Sequence, residues 1–174
     1  LTGGSSMFER GSYDTLSRWH VPPKPTEAVV VALNDEAGKI LKQPANRPWD
    51  RTLHAQLIER LNNAGAKLIV FDIIFDEPGP DTATGRAADA ALAQAIRSRT
   101  NVVLCGEYIS ELEPGKGWSH YTNAPLEAFR TAARSWGFSA LPEDSDVGIR
   151  QHGPTLDAAP PLALAAALAY GSPP

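Results

Sequence analysis

The sequence predicts an α/β fold: a layered, largely parallel central sheet flanked by helices, with a C-terminal antiparallel hairpin. Two observations lead to this prediction. Short, nearly continuous apolar runs rich in Val and Ile recur along the chain, and such runs are typical of strands covered on both faces. Segments with apolar residues at helical spacing separate these runs, and this alternation indicates crossover helices between parallel strands.

The N-terminal part of the chain is expected to contribute a helix, a strand and a long loop. Residues 7–19 have apolar side chains near helical spacing, and the prolines within residues 22–25 then end any helix. The run Ala28–Leu33 (AVVVAL) predicts a buried strand. The polar stretch Asn34–Asp50 predicts a loop with one helical turn at Glu36–Leu41, and loops of this length are often functional.

The middle of the chain gives the clearest patterns. Residues Arg51–Ala64 form the strongest helical pattern, which ends at the following glycine. The run Lys67–Phe75 (KLIVFDIIF) predicts a central strand. A second helix is expected to begin at a cap within residues 81–84 and to end at Arg97, and Val102–Tyr108 predicts a third buried strand.

The C-terminal part is more irregular. Glu111–Thr122 is interpreted as a loop, and Pro125–Ser135 as a helix with proline near its start. Trp136–Leu141 and Gly148–His152 flank an acidic turn and predict a hairpin. An Ala- and Leu-rich helix is expected over Pro160–Tyr170.

Length and composition exclude several classes of protein. The 174 residues suit a single domain, residues 1–174, in which residues 1–6 are either linker or the remnant of a tag. The 16 basic residues are scattered and the net charge is −4, so nucleic acid is not expected as a partner. Cys105 is the single cysteine, which excludes a disulfide within the chain and a two-cysteine metal site.

The sequence has no apolar stretch long enough to cross a bilayer. The best candidate, Pro160–Tyr170, is about eleven residues long, whereas a span needs about 20. Residues 1–10 lack the apolar centre of a signal peptide. If the chain belongs to a membrane receptor, we therefore expect it to be an excised part of that receptor.

Polar residues follow the first two predicted strands and define the candidate ligand site. Because ligands of parallel sheets bind where the carboxyl ends of strands meet, Asp35 and Asp76 are expected to approach one another. Arg51 is electrostatically unfavourable near the start of a helix, so it is expected to reach a carboxylate or an anionic ligand. The candidate ligand-binding residues are Asp35, Glu36, Arg51, His54, Asp72, Asp76 and Glu77.

Asp72 interrupts an otherwise apolar strand. Burial of an unpaired carboxylate costs several kcal/mol, so we expect a partner such as Arg51, His54 or backbone amides, or else a cavity. Asp72 is then either a structural aspartate that holds a loop or a carboxylate that faces a ligand. Asp72 and Asp76 would lie about 13 Å apart on one strand face, too far to hold one metal ion or one glycosidic bond together.

Metal-binding signals are weak. Residues 76–81 contain three carboxylates but lack the alternating spacing of a calcium loop, so a proline-rigidified turn before a helix is the ordinary interpretation. The four histidines are far apart and include no i, i+4 pair of the kind that binds zinc on a helix. We predict no metal site, no cofactor and no catalytic residue.

Motifs in a fixed order over residues 7–170 resemble the CHASE2 family. The most specific is LL-x-x-L-x-x-AGA-x-x-I-x-FD-x-x-F-x-EP, matched from Leu57 to Pro78. The other matches are an ER-x-x-YD-x-x-x-R helix in residues 9–18, a VVVV-x-I-D-E segment in 29–36, PW-x-R in 48–51, NVVL in 101–104 and GF…D-x-D-x-G-x-R in 137–150. The departures are the loop at residues 37–47 and the spacing around Val147.

The resemblance implies a role rather than a chemistry. It implies a non-catalytic, extracytoplasmic (periplasmic) sensor domain at the bacterial inner membrane, joined to the membrane through flanking helices absent from this chain. Outputs typical of the family are a histidine kinase, an adenylate or diguanylate cyclase, or a serine/threonine kinase. The partners expected are a small-molecule or protein signal and a second copy in a homodimer.

Two other functions stay open at the level of sequence. An interaction module would dimerise or dock a protein through surfaces around Trp19, Trp118 and Trp136. A hydrolase would use Asp35, Asp72, Asp76 and Glu77, with or without a divalent ion.

Overall fold

The computed structural model describes residues 11, 12, 14–16, 18, 27–45, 47–141 and 159–171. The chain divides into two compact units, Leu1–Ala45 and Asn46–Pro174, and each is described by itself.

The first unit contains a short capped helix. Helix α1 comprises Asp35–Ile40 and begins after Asn34, whose Oδ1 accepts a hydrogen bond from the amide of Ala37 at 2.9 Å. The helical turn predicted at residues 36–41 is therefore confirmed. Residues 11, 12, 14–16 and 18 are helical, which agrees with the predicted N-terminal helix wherever that helix is described.

The strand predicted at Ala28–Leu33 is wrong. Residues 28–33 belong to neither helix nor strand, and Val29 and Val30 are 85% and 89% exposed. β-Branched side chains favour an extended backbone, but a strand forms only when a neighbour supplies the ladder of hydrogen bonds. No strand in the described ranges pairs with this run.

The second unit is built around a mainly parallel sheet. Its strands are β1 (Ile69–Ile74), β2 (Val102–Glu113), β3 (Gly117–Asn123) and β4 (Ser135–Phe138). β2 pairs in parallel with β1 and β4 and antiparallel with β3, which confirms the predicted fold class. β1, predicted to be central, pairs with β2 alone among the strands described here.

The described residues of this unit form four helices: α2 (Arg51–Asn63), α3 (Ala83–Arg97), α4 (Glu127–Arg130) and α5 (Leu162–Gly171). α2 begins after Asp50, whose Oδ1 accepts from the Thr52 amide at 2.9 Å. α3 begins after Thr82, whose hydroxyl oxygen accepts from the Gly85 amide at 3.0 Å. The predicted helices at 51–64, 81–97 and 160–170 are confirmed.

The helices cover the two faces of the sheet unequally. Successive side chains of a strand point to opposite faces. Leu104 of β2 therefore packs in the larger core, which includes Ile58 of α2 and Leu92 of α3. Val103, its neighbour in sequence, packs against Ala165 and Ala169 of α5 on the other face.

The loop predicted at Glu111–Thr122 is wrong, because these residues form an antiparallel hairpin. The paired residues run from Glu107–Asn123 to Glu113–Gly117. The turn contains Gly115 and ends at Gly117, both with φ in the left-handed region, +81° and +93°. The Pro-Gly pair in the turn was the signal for this hairpin, but the polar composition of the arms suggested a loop.

The structure corrects the predicted length of the helix at residues 125–135 and shows how the first arm of the predicted C-terminal hairpin is paired. The helix predicted over residues 125–135 is only Glu127–Arg130, because the chain must already enter β4 at Ser135. The first arm of the predicted C-terminal hairpin contains β4, which pairs in parallel with β2. Its acidic turn and second arm, residues 142–152, lie outside the described residues. In the part of the chain that the structure describes, no helix is long and apolar enough to span a membrane.

Candidate functional site

A buried arginine holds the chain that leaves β1. Arg51, the first residue of α2, is 9% exposed. Its Nη1 donates to Oδ1 of Asp89 on α3 at 2.5 Å, and its Nη2 donates to the carbonyl oxygen of Glu77. Its guanidinium carbon lies 5.2 Å from the ring centroid of Phe129 and 5.9 Å from that of Phe75. Arg51 is thus tied to a carboxylate, as its place at the helix start predicted.

Residues 75–82, called here the β1 turn, are fixed by further contacts. Oδ2 of Asp89 accepts a hydrogen bond from the Gly79 amide at 2.9 Å, so one carboxylate joins the Arg51 guanidinium to the turn. A Cβ atom at residue 79 would lie 2.9 Å from Oδ1 of Asp89, which explains the glycine. At the start of the turn, the carbonyl oxygen of Phe75 accepts from the Leu126 amide at 2.8 Å.

His54 lies one helical turn after Arg51 and is also buried, at 4% exposure. Its ring makes edge-to-face contacts with Phe71 and Phe75, with centroids 6.1 and 5.4 Å apart. Burial lowers the pKa of His54, the positive charge of Arg51 lowers it further, and Asp50 opposes them. His54 is therefore a neutral aromatic group at neutral pH.

Asp72 is placed differently from the expectation. It is exposed, and Oδ1 accepts a weak hydrogen bond from Sγ of Cys105 at 3.6 Å. Neither Arg51 nor His54 is its partner, because β1 alternates between buried and exposed positions and Phe71, not Asp72, faces α2 and α3. The prediction that Asp72 is buried, and therefore needs Arg51, His54, backbone amides or a cavity, is wrong because Asp72 is exposed; a contact between Asp72 and a ligand stays a prediction.

The buried thiol beside Asp72 is held in its protonated form. Burial raises the pKa of Cys105 to about 11; a hydrogen bond with Ser139 acts against this rise, and the charge of Asp72 adds to it. A thiol with so high a pKa is a poor nucleophile and a poor metal ligand at neutral pH.

The predicted site residues thus fall into three groups. Arg51, His54 and the backbone of Glu77 come together at the β1 turn, where the Glu77 side chain is exposed and Asp76 is half-buried. Asp72 lies on the other face of β1. Asp35 and Glu36 are exposed residues of α1 in the first unit, and their approach to Asp76 stays a prediction.

Asp89 and Gly79 are the site residues that the sequence interpretation missed. Asp89 lies on α3 between the buried residues Ala88 and Leu92, four residues after the buried Gly85. A carboxylate at the border of a buried helical stripe requires a partner, as does an arginine at a helix start. Together these two signals could have paired Asp89 with Arg51, although 38 residues separate them.

The described residues also bear on two hypotheses from the sequence, the interaction surfaces around tryptophans and a bound metal ion. Trp136 packs against the larger core and against Phe138, with ring centroids 5.1 Å apart. Trp19 and the side chain of Trp118 lie outside the described residues. Across the residues with described positions, no group of three or more His, Cys, Asp or Glu side chains could hold a metal ion.

Comparison with protein families identifies the family of the chain. Residues 1–173 match the family model described as CHASE2 domain. No curated protein and no solved structure matches the chain significantly.

Proposed function

The chain belongs to the CHASE2 domain family, and from this premise we propose that it is the extracytoplasmic signal-sensing domain of a bacterial transmembrane receptor. The family match carries the proposal, because CHASE2 is a family of extracytoplasmic sensor domains and the match extends over residues 1–173. The output of the receptor, a sensor kinase or a nucleotide cyclase, resides in another part of the protein.

Signal recognition is proposed to occur at the β1 turn. Ligands of open parallel sheets bind outside the carboxyl ends of the strands, and the β1 turn directly follows such an end. The exposed side chain of Glu77 and the half-buried Asp76 contact the signal in this proposal. Arg51 and His54 act by positioning the turn, because their side chains are engaged inside the unit.

The chemistry of the second unit supports a non-catalytic role. Arg51 and Asp89 form an ion pair with each other. Burial among aromatic rings lowers the pKa of His54. The thiol of Cys105 stays protonated because its pKa is about 11. A hydrolase would need acids that act together, whereas the carboxylate of Asp72 accepts a hydrogen bond from the Cys105 thiol and that of Asp89 is paired with Arg51.

Labelling of intact cells tests the extracytoplasmic location. Gln94 is an exposed residue of α3, so Gln94→Cys in the full-length protein gives an accessible thiol, whereas Cys105 is buried and serves as the internal control. A membrane-impermeant maleimide is expected to label residue 94 in intact cells. Labelling of residue 94 only after lysis would overturn the proposal.

A further inference from the structure

We propose that Arg51, His54 and Asp89 form an acid-sensitive latch, in which protonation of His54 releases the β1 turn. The latch depends on the proposed sensor function in one respect: its release matters for signalling only if the β1 turn recognises the signal. In that case the proton regulates the same turn. The latch itself is a property of the second unit.

The first argument is geometric. Arg51 and His54 are three residues apart on α2 and therefore share a helix face, and both contact the ring of Phe75. An imidazolium at residue 54 would place a second cation next to a buried guanidinium. The carboxylate of Asp89 already accepts hydrogen bonds from Arg51 and from the Gly79 amide, so it is occupied.

Among the residues that the structure describes, the groups around His54 do not offset such a charge. On α2 the neighbouring charges are Arg51, which disfavours protonation, and the exposed Asp50, which favours it less strongly. α3 contributes Asp89, which acts through Arg51. β1 contributes the rings of Phe71 and Phe75.

Helix α4 and the β1 turn contribute the remaining groups near His54. Phe129 of α4 contacts Arg51 and Phe75 and brings no charge. Within the turn, the side chain of Glu77 is exposed to solvent and Asp76 is half-buried. The balance around His54 therefore favours the neutral ring as long as the cluster is closed.

Release of the turn follows from the bonds that Arg51 makes. A protonated His54 repels the guanidinium, and any movement of the guanidinium gives up its hydrogen bond to the carbonyl of Glu77 and its ion pair with Asp89. Asp89 in turn holds the amide of Gly79. The open turn lets His54 reach water, where an imidazole has its ordinary pKa of about 6.5. Protons bind more tightly to the open form, so acid shifts the population toward it.

Amide hydrogen exchange of the 174-residue chain tests the latch. The probe is the Gly79 amide, followed between pH 7.5 and 5 after correction for the intrinsic exchange rate. Its protection is expected to fall by up to about ten-fold for each pH unit below about 6.5, until the pKa of His54 in the closed form is reached. The amide of Val103 in β2 reports on global unfolding, so Gly79 is expected to exchange faster than Val103 at each pH, as a local opening requires. Equal protection of the two amides would mean that the turn is released only by global unfolding, and would overturn the latch.

Substitutions of His54 and His120, together with the NMR titration of the His54 ring, test whether His54 controls the release of the turn. His54→Gln is expected to abolish the acid-dependent loss at Gly79, and His120→Gln, a histidine of β3, is expected to preserve it. Should His54→Gln fail to fold, His54→Phe suits the aromatic surroundings, and in the wild type the protection of Gly79 must level off at the pH at which the His54 ring titrates by NMR. Equal loss at Gly79 in the wild type and His54 variants, or constant protection to pH 5, overturns the latch. Neither result bears on the location of the domain, which the labelling of residue 94 tests separately.

Discussion

Arg51 at the start of α2 and Asp89 on α3 form an ion pair that joins two helices to the chain leaving β1. The pair is largely buried, with side-chain exposures of 10% and 22%. It satisfies an arginine whose place at a helix N-terminus is otherwise unfavourable.

Loss of one partner should destabilise the second unit. In Arg51→Met the carboxylate of Asp89 is left without its cation, and we expect the free energy of unfolding in urea to fall by about 2–4 kcal/mol. Arg86 on the same helix as Asp89 pairs with Asp81 at the surface, so Arg86→Met should cost less than about 1 kcal/mol. Similar losses in the two variants would show that Arg51 has no special role.

The close packing of α5 on β4 predicts a second effect on stability. A Cβ atom at Gly137 would lie 2.6 Å from the carbonyl oxygen of Pro160 and 2.9 Å from Cα of Leu162. Gly137→Ala is expected to cost about 1–3 kcal/mol, because backbone atoms must move apart. A Cβ at Gly171 meets nothing within 4 Å, so Gly171→Ala is the matched control and should leave stability within about 1 kcal/mol of the wild type. Equal costs at both positions would contradict the observed packing.

The buried thiol predicts a low chemical reactivity. Because the pKa of Cys105 is raised to about 11, its reaction with a thiol reagent at pH 7.5 should be roughly a hundred-fold slower than after unfolding in urea. Gln94→Cys in a Cys105→Ser background supplies an exposed thiol for comparison and should react at the rate of the unfolded chain. Rapid reaction of Cys105 in the folded protein would refute the assignment.

Stability is expected to depend on pH through His54. Its folded pKa lies below the ordinary value of 6.5, so between these two values the unfolded chain binds a proton that the folded chain does not. The free energy of unfolding is therefore highest above pH 6.5 and decreases as the pH falls toward the folded pKa. Urea unfolding at pH 8, 7, 6 and 5 should show this decrease in the wild type and a smaller one in His54→Phe. The same pH dependence in both proteins would argue against a lowered pKa.

Local patterns predicted those elements whose signals are contained within one segment. Helices α2 and α3 carry their own caps and apolar stripes, and their bounds match the prediction within one or two residues. The run 28–33 has an equally clear apolar pattern, but a strand depends on a partner strand that no local pattern specifies. The sequence pattern does not predict the hairpin of β2 and β3, because its arms are largely polar and lack the alternation of apolar and polar residues that indicates a strand.

The candidate site shows the same division between local and long-range information. The position of Arg51 in the sequence indicates that it needs a partner, and Arg51 and His54 are both buried in the structure. Which partner each finds depends on how α2, α3 and β1 pack, and therefore Asp89 and Phe75 were not predicted. For Asp72 the sequence pattern is misleading, because a continuous apolar run predicts burial on both faces, whereas Val70 on the same face as Asp72 is also exposed.

One measurement on the full-length protein tests the central claim, that an extracytoplasmic turn is held by a releasable latch. Arg51 binds the backbone of Glu77, and the neighbouring Asp76 is half-buried in the β1 turn, so Asp76→Cys places a partly shielded thiol on the turn without removing the latch. We predict that an impermeant maleimide labels residue 76 in intact cells, and that its rate, divided by that of Gln94→Cys at the same pH, rises as the external pH falls from 7.5 to 5. Labelling that requires lysis, or a ratio independent of pH, would contradict the account.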